Sequence, residues 1–483
     1  MTDAPFQVET FQPNEFEADR HFYPRTLNAQ AHPLVVSFCK MSLERLIRRY
    51  CHLHPRVDQM VLREVLTTPP RYLRWSGSDV LNVSTESGVR QKLVLETNSC
   101  PSGQKSFPLL DEHDELGGYR QLIEKTFLPL VNKTVKKGDE GAVAVLYDKN
   151  LMEASGYAQV LATAMERPVH LVPCPRSDPE AFVELDGREL FVKLPTGRER
   201  ILCAFRYVTQ RPWTRLPFDL KTPLLNPIVA CLAGGRNKTV AAKSYEAFNG
   251  AFRRHGLEIR TPQSFTNVRK AEVPMLVEQL GGKAVVKVPY LNAGQGIYTL
   301  VNEDELGRFM AEEQPYDEYI VQQLVGNVRW SSTAARGKVF NIGTVPDKKE
   351  QIYVFDMRMM VAWQEERFAP IAMYARRAQM PMETELEEGT DSWKVLGTNL
   401  SKALGDDQFE TEPKRLLMCD RKDFNRLGLG LDDLLEVFVQ CVLCTRAIDD
   451  MCKRLVKRGG GFRKDLFRSL NPDAALMREI RLA

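Results

Sequence analysis

No stretch of about 18 consecutive apolar residues occurs in the chain, the length at which a helix begins to span a bilayer. The opening Met1-Thr2-Asp3-Ala4-Pro5 has neither the basic start nor the apolar core of an export signal. The expectation is a cytoplasmic protein with no membrane partner. Charge of one sign is lacking too: 66 lysines and arginines stand against 63 aspartates and glutamates, so no overall field calls for nucleic acid. The seven histidines build no serine-histidine-aspartate arrangement, and no paired carboxylates stand out for glycoside cleavage. The ten cysteines are singletons apart from Cys441 and Cys444, which lie within an apolar helical run, and no second pair or histidines complete a zinc spacing. Reduced, structural thiols follow. Internal repeats and low-complexity tracts are absent.

What is present is a core. Hydrophobic residues make up 43% and charged residues 27% of 483 positions, enough for two or three lobes at ~100–200 residues each. Residues 1–30 read as a polar arm. Apolar residues recur at helical spacing from His32 to Leu66, interrupted by Pro55, and predict a helical pair. Alternation then predicts strands over Ser78–Val83 and Leu93–Leu95, joined by a turn at Glu86-Ser87-Gly88, with Leu116–Val131 helical. Ala142–Tyr147, a helix over Met152–Met165 and Val169–Val172 form one β-α-β step of a parallel sheet. A hairpin-like stretch, Val183–Leu194, and a buried strand, Arg200–Arg206, follow. Val240–His255 is helical, Ala284–Val288 and Tyr353–Val361 are strands, and Asp432–Val456 is one long amphipathic helix.

Three groups of residues can do chemistry. Lys287 ends a strand and is followed by Gly294 and Gly296, so backbone N–H groups and an ammonium could meet phosphate oxygens; a plain hairpin with an exposed lysine reads the same residues equally well. The spacing fits neither a P-loop nor a dinucleotide fingerprint. Glu96 and Asn98 stand two apart on a strand and face one way, which suits a hard cation such as Mg2+, with Asp79 able to reach it from the preceding strand. A strand-end turn before Pro101 and Gly103 is the alternative. Arg358, Arg376 and Arg377 lie in apolar strand contexts, suited to hold phosphoryl oxygens or to pair with a local acid such as Asp356.

In their order along the chain these segments resemble the circularly permuted ATP-grasp ligases, the group of eukaryotic glutathione synthetase and glutathionylspermidine synthetase. The succession is Trp75–Asp79, Leu95–Asn98, residues 141–232, Arg236-Asn237-Lys238, Val286-Lys287 through Gly296, Ile320–Leu324, then Arg358 or Arg376. The resemblance implies an α/β protein with an ATP-grasp fold in permuted order, a Rossmann-like middle unit and a C-terminal helical addition. It implies ATP and Mg2+ as cofactors, with Asp79, Glu96 and Asn98 on the metal. Lys238, Lys287, Asn292, Gly294, Gln295 and Gly296 would contact phosphates or form the lid, Gln322, Gln323 and Leu324 the adenine, and Arg358 and Arg376 the transferring phosphoryl group. The implied reaction phosphorylates a small-molecule carboxylate and passes it to an amine, releasing ADP and phosphate. Arg74, Ser99, Ser102, Lys105 and Arg206 are placed on substrate. Gly77 stands where the family has an arginine, with Arg74 or Arg71 as replacement, and the lid lacks the family's acid, so that either a metal shell of less charge or an acid from elsewhere, such as Asp356, takes its place.

The expected organisation is an arm (1–30), a first part of the catalytic lobe (31–140), a substrate unit (141–233), lid and hinge (234–325), a second part of the catalytic lobe (326–405) and a helical extension (406–483), with a homodimer as a possibility. A small-molecule kinase on the same fold and a non-catalytic nucleotide-binding scaffold are the competing readings.

Overall fold

The computed structural model describes residues 6–481 except 112, 137, 210–212, 214, 292–293, 387–388 and 404–408. Two antiparallel sheets face each other across a cleft. In the larger, six-stranded sheet, Trp75–Thr85 pairs along one edge with Arg90–Asn98 and along the other with Phe355–Gln364 and the short Val339–Asn341; Arg367–Arg377 and Leu416–Met418 extend it. Strands far apart in the chain thus lie side by side. The smaller sheet runs Ser264–Arg269, Glu318–Gln323, Ala284–Lys287, Ile297–Leu300.

Period-two alternation gives Trp75–Thr85 two different faces. Gly77, Asp79 and Leu81 turn to the cleft. Ser76 and Ser78 turn the other way: the Ser76 hydroxyl lies 2.6 Å from that of Thr445, and Ser78 shares a hydroxyl contact of 2.8 Å with Thr97. Thr445 belongs to the helix Leu431–Leu455, which is buried along most of its length. The expected C-terminal helical addition includes this helix, which packs beneath the larger sheet. Asp449 on it accepts from the backbone N–H groups of Arg71, Tyr72 and Leu73 at 3.1, 2.6 and 3.0 Å, and Asp433 pairs with the buried Lys92 at 2.6 Å. The predicted helical pair of residues 32–66 is three helices, Pro33–Cys39, Leu43–Leu53 and Gln59–Thr67, since Ser42 and Asp58 each cap a new start.

The third sheet has a parallel centre. Ala142–Tyr147 lies between Val169–Pro173 and Gly197–Tyr207, parallel to both, with the helix Leu151–Met165 as the crossover. The hairpin Val183–Asp186 and Glu189–Leu194 continues the same sheet through Gly197–Tyr207. The N-terminal arm contributes its opposite edge strand, Glu9–Phe11, which pairs with Val169–Leu171. All ten cysteines are free thiols. Among the described residues no helix is long and apolar enough to cross a membrane.

Candidate functional site

The cleft between the two antiparallel sheets, closed at one end by the parallel sheet, is a cavity. Its floor is set by register. Glu96 stands opposite Asp79, Asp79 opposite Arg358, and Arg358 opposite Tyr374, so four functional side chains from four adjacent strands form one row on the cleft face. Two residues along, Asp356 lies opposite Arg376 and Asn98 opposite Gly77. Such rows follow from cross-strand pairing, in which directly opposed side chains point to one face.

Both oxygens of the buried Asp79 accept from Arg358, Nε at 2.6 Å and Nη2 at 2.7 Å, and Arg376 lies 2.7 Å from Oδ2. Asp356 holds Arg376 in the same forked way and also accepts from Thr398. Asp79 therefore anchors the two arginines, both of its oxygens accepting from guanidinium donors. Asp356, the acid considered for the lid's missing one, is likewise engaged by a guanidinium.

Glu96 and Asn98 stand together on the cleft face. Asn98 Nδ2 donates to Glu96 Oε1 at 3.2 Å, Lys238 Nζ is 3.3 Å from Glu96 Oε2, and Arg236 donates to Asn98 Oδ1 at 2.8 Å. Burial raises the Glu96 carboxyl, but Lys238, then Arg358, the Asn98 amide and Lys287 together hold it well below the ordinary range. Among the described residues no group of three histidine, cysteine, aspartate or glutamate side chains could hold a metal by itself. One carboxylate and one amide oxygen on a single face suit Mg2+ that arrives already bound to phosphates, because that ion takes few protein oxygens.

Above this floor stand two lysines, one on the smaller sheet and one at the start of a helix. Lys287, 7% exposed, ends Ala284–Lys287; burial lowers its ammonium to about 8, Glu96 opposing and Lys238 adding to the effect. Lys238 opens the helix Lys238–Phe252, whose N-terminal end adds favourable field for an anion, and its ammonium also donates to the Leu291 carbonyl at 2.8 Å. Gly294 and Gly296 adopt φ of +77° and +61°, as the tight return from Lys287 to Ile297 requires. Gly294 lines the cavity; Gln295 is exposed outside it, and Asn292 lies outside the described residues. Gln322, Gln323 and Leu324 line the cavity, but the Leu324 N–H already donates to Ser332 Oγ at 2.8 Å and its carbonyl accepts from Ser332 N at 3.0 Å.

The substrate assignments divide. Ser102 and Lys105 line the cavity. Arg206 is fully buried and donates to the carbonyls of Asn226 at 2.7 Å and Val208 at 2.9 Å and to Ser99 Oγ at 3.4 Å, so both Arg206 and Ser99 knit the wall behind the cavity. Arg74 lies outside the cavity lining, its backbone tied to Asn226 and Trp363. At Gly77 a Cβ would meet Pro101 Cβ at 2.7 Å and Met360 Cγ at 3.2 Å, so these side chains occupy the family arginine's place. Arg236 supplies a guanidinium beside Asn98 instead. Lys149, Asn150, Tyr207 and Tyr374, not singled out from the sequence, also line the cavity. Lys149, Asn150 and Tyr207 sit at the carboxyl ends of parallel strands, where open α/β sheets place ligands, and that rule could have found them.

No model of a known protein family matches the chain, and no curated protein matches it. Among solved structures, the glutathione synthetase-like effector GSS30 of Globodera pallida, in apo form, is 9% identical with a TM-score of 0.37, over 74% of this chain and 86% of its own. D-alanyl-alanine synthetase A of Vibrio cholerae is 11% identical with a TM-score of 0.32, over 54% and 94%. The RimK domain ATP-grasp protein of Sphaerobacter thermophilus is 12% identical with a TM-score of 0.29, over 48% and 90%. A further similar structure is the ATP-grasp ligase PsnB complexed with a minimal precursor, 13% identical with a TM-score of 0.27, over 62% of this chain and 98% of its own. At such identities and TM-scores the weight rests on the cavity itself.

Proposed function

We infer that the chain is an ATP-dependent carboxylate-amine ligase of permuted ATP-grasp type, forming an amide through an acyl-phosphate. The observation that carries this reading is the convergence of Lys238 and Lys287 from the lid side on Glu96 and Asn98 from the floor, beside an arginine pair fixed by buried aspartates. Bound Mg2+ would neutralise nucleotide phosphates, with Glu96 and Asn98 as its protein oxygens. Lys238 and Lys287 hold the phosphate oxygens as point charges, and Arg358 and Arg376, pre-set by Asp79 and Asp356, face the transferring group without reorganisation. The apolar side chains Leu81, Leu95, Val285, Val325 and Val354 suit the adenine between the sheets. Gly294 lines the cleft, and exclusion of water from a closed cleft would protect an activated acid.

The reading is tested by incubating the protein with ATP, Mg2+, pooled small carboxylic acids and hydroxylamine, which traps an activated carboxylate as a hydroxamate. Hydroxamate and phosphate formed together are expected. Phosphate release that leaves the acid unconverted, or a stable phosphorylated hydroxyl product, would replace the ligase with a hydrolase or a kinase.

A further inference from the structure

At the end of the cleft away from the lysines, one side-chain donor has no acceptor. Asn341 closes the short strand Val339–Asn341 and stands opposite Val83, which shares the cleft-facing parity of Asp79 and Leu81. It lines the cavity together with Leu81, Leu95, Val325 and Val354, the apolar side chains suited to adenine. Behind them Leu81, Val83, Leu93 and Val325 pack as a buried apolar cluster that offers no polar partner from its side chains. Asn341 is 6% exposed, and its Nδ2 is buried with no hydrogen-bond partner among the described residues.

The orientation of this amide is fixed by its other end. The Gly343 N–H donates to Asn341 Oδ1 at 2.9 Å, and because a backbone N–H can only donate, the oxygen must be there and the nitrogen on the opposite side. Gly343 adopts φ of +72° to close the turn. The backbone is pinned from two sides. Asn341 N donates to the Gly326 carbonyl at 2.7 Å, just past the hinge, and Ile342 N donates to the Asn82 carbonyl of the larger sheet at 3.0 Å. Neighbouring amides differ: Gln323 Nε2 donates to the Gly337 carbonyl at 3.3 Å and Gln322 Nε2 to Ser264 Oγ at 2.8 Å. A buried amide nitrogen that is left bare is unfavourable, and an acceptor arriving with a ligand removes that cost.

We propose that Asn341 reads the nucleobase, its Nδ2 donating to a ring nitrogen of the adenine, so that the cleft selects bases with a lone pair at that position. This rests on the ligase reading for the presence of a nucleotide in the cleft. A base with C–H in place of that nitrogen leaves the donor bare and sets hydrogen against hydrogen.

Isothermal calorimetry with Mg2+ and ATP, 1-deaza-ATP, 3-deaza-ATP or 7-deaza-ATP tests it on the wild type and on Asn341→Asp. Aspartate keeps the oxygen to which Gly343 donates and exchanges the donor for a second acceptor; an unchanged near-ultraviolet circular dichroism spectrum reports the intact fold. Its added charge acts on all four nucleotides and cancels in the ratio of ATP to analogue affinity. In the wild type one analogue is expected to bind about tenfold more weakly than ATP, the effect of one neutral hydrogen bond. In Asn341→Asp that ratio is expected to fall to about one or to invert. Ratios that agree between the two proteins for every analogue overturn the proposal and leave the nucleotide site standing. So does a wild type that binds all three analogues as tightly as ATP, a result that needs no variant. A wild type that binds no ATP overturns the ligase reading and this proposal with it.

Discussion

Replacing Lys287 with methionine should make the protein more stable and incapable of responding to nucleotide. The side chain is almost fully buried, and its ammonium is held at about 8 against an ordinary 10.5. At neutral pH that difference costs the folded state about 3 kcal/mol, because each pKa unit is about 1.4 kcal/mol. The sign follows from proton binding. Between about pH 8 and about pH 10.5 the unfolded chain holds this proton more tightly, so the lysine's penalty is complete below that window and vanishes above it. Methionine has similar length and no charge. Urea unfolding of wild type and Lys287→Met across pH isolates the effect, since the buried thiols and Lys149 titrate equally in both. The variant should be more stable by about 3 kcal/mol near pH 7, with the advantage disappearing towards about pH 10.5. MgATP should raise the melting temperature of the wild type alone. A variant less stable than wild type at neutral pH would show that the lysine is held by favourable contacts instead of being strained for a ligand.

Glu96→Gln removes the carboxylate beside Lys238 and Asn98; turnover should fall by about a hundredfold or more, with unfolding within about 1 kcal/mol of wild type in urea. Gly77→Arg, which restores the family residue, should lower stability by about 1–3 kcal/mol in the same assay and restore nothing, because its Cβ collides with Pro101 at 2.7 Å. Asp449→Ala strips three backbone N–H groups of their acceptor. It should cost about 3–5 kcal/mol in urea unfolding while calorimetry finds nucleotide affinity in the folded fraction changed by less than about twofold.

Part of the floor of the cavity was legible because strand alternation is local: Glu96 and Asn98 could be put on one face from spacing alone, with Asp79 within reach from the preceding strand. Their partners could not. That Asp79 would be clasped by Arg358 and Arg376 depends on pairing between strands some 280 residues apart in sequence, as the separation of 279 between Asp79 and Arg358 shows. The long helix at 431–455 was found to within a residue at each end by its apolar period, but period does not say what a helix packs on, and its place beneath the larger sheet emerged only from contacts such as Ser76 with Thr445. Arg206 was misjudged for a related reason. A buried arginine at a strand end looks like a ligand group until its donors are traced to the Asn226 and Val208 carbonyls. The edge strand Glu9–Phe11 carries too few residues to show alternation against the polar arm around it.

The most direct test follows oxygen. With an acid substrate carrying oxygen-18 in its carboxylate, transfer through an acyl-phosphate leaves one labelled oxygen in the inorganic phosphate released as each amide forms. That result is expected, and it should depend on Glu96. Unlabelled phosphate accompanying amide formation, with both labelled oxygens traced elsewhere, would contradict the reaction assigned to this cavity.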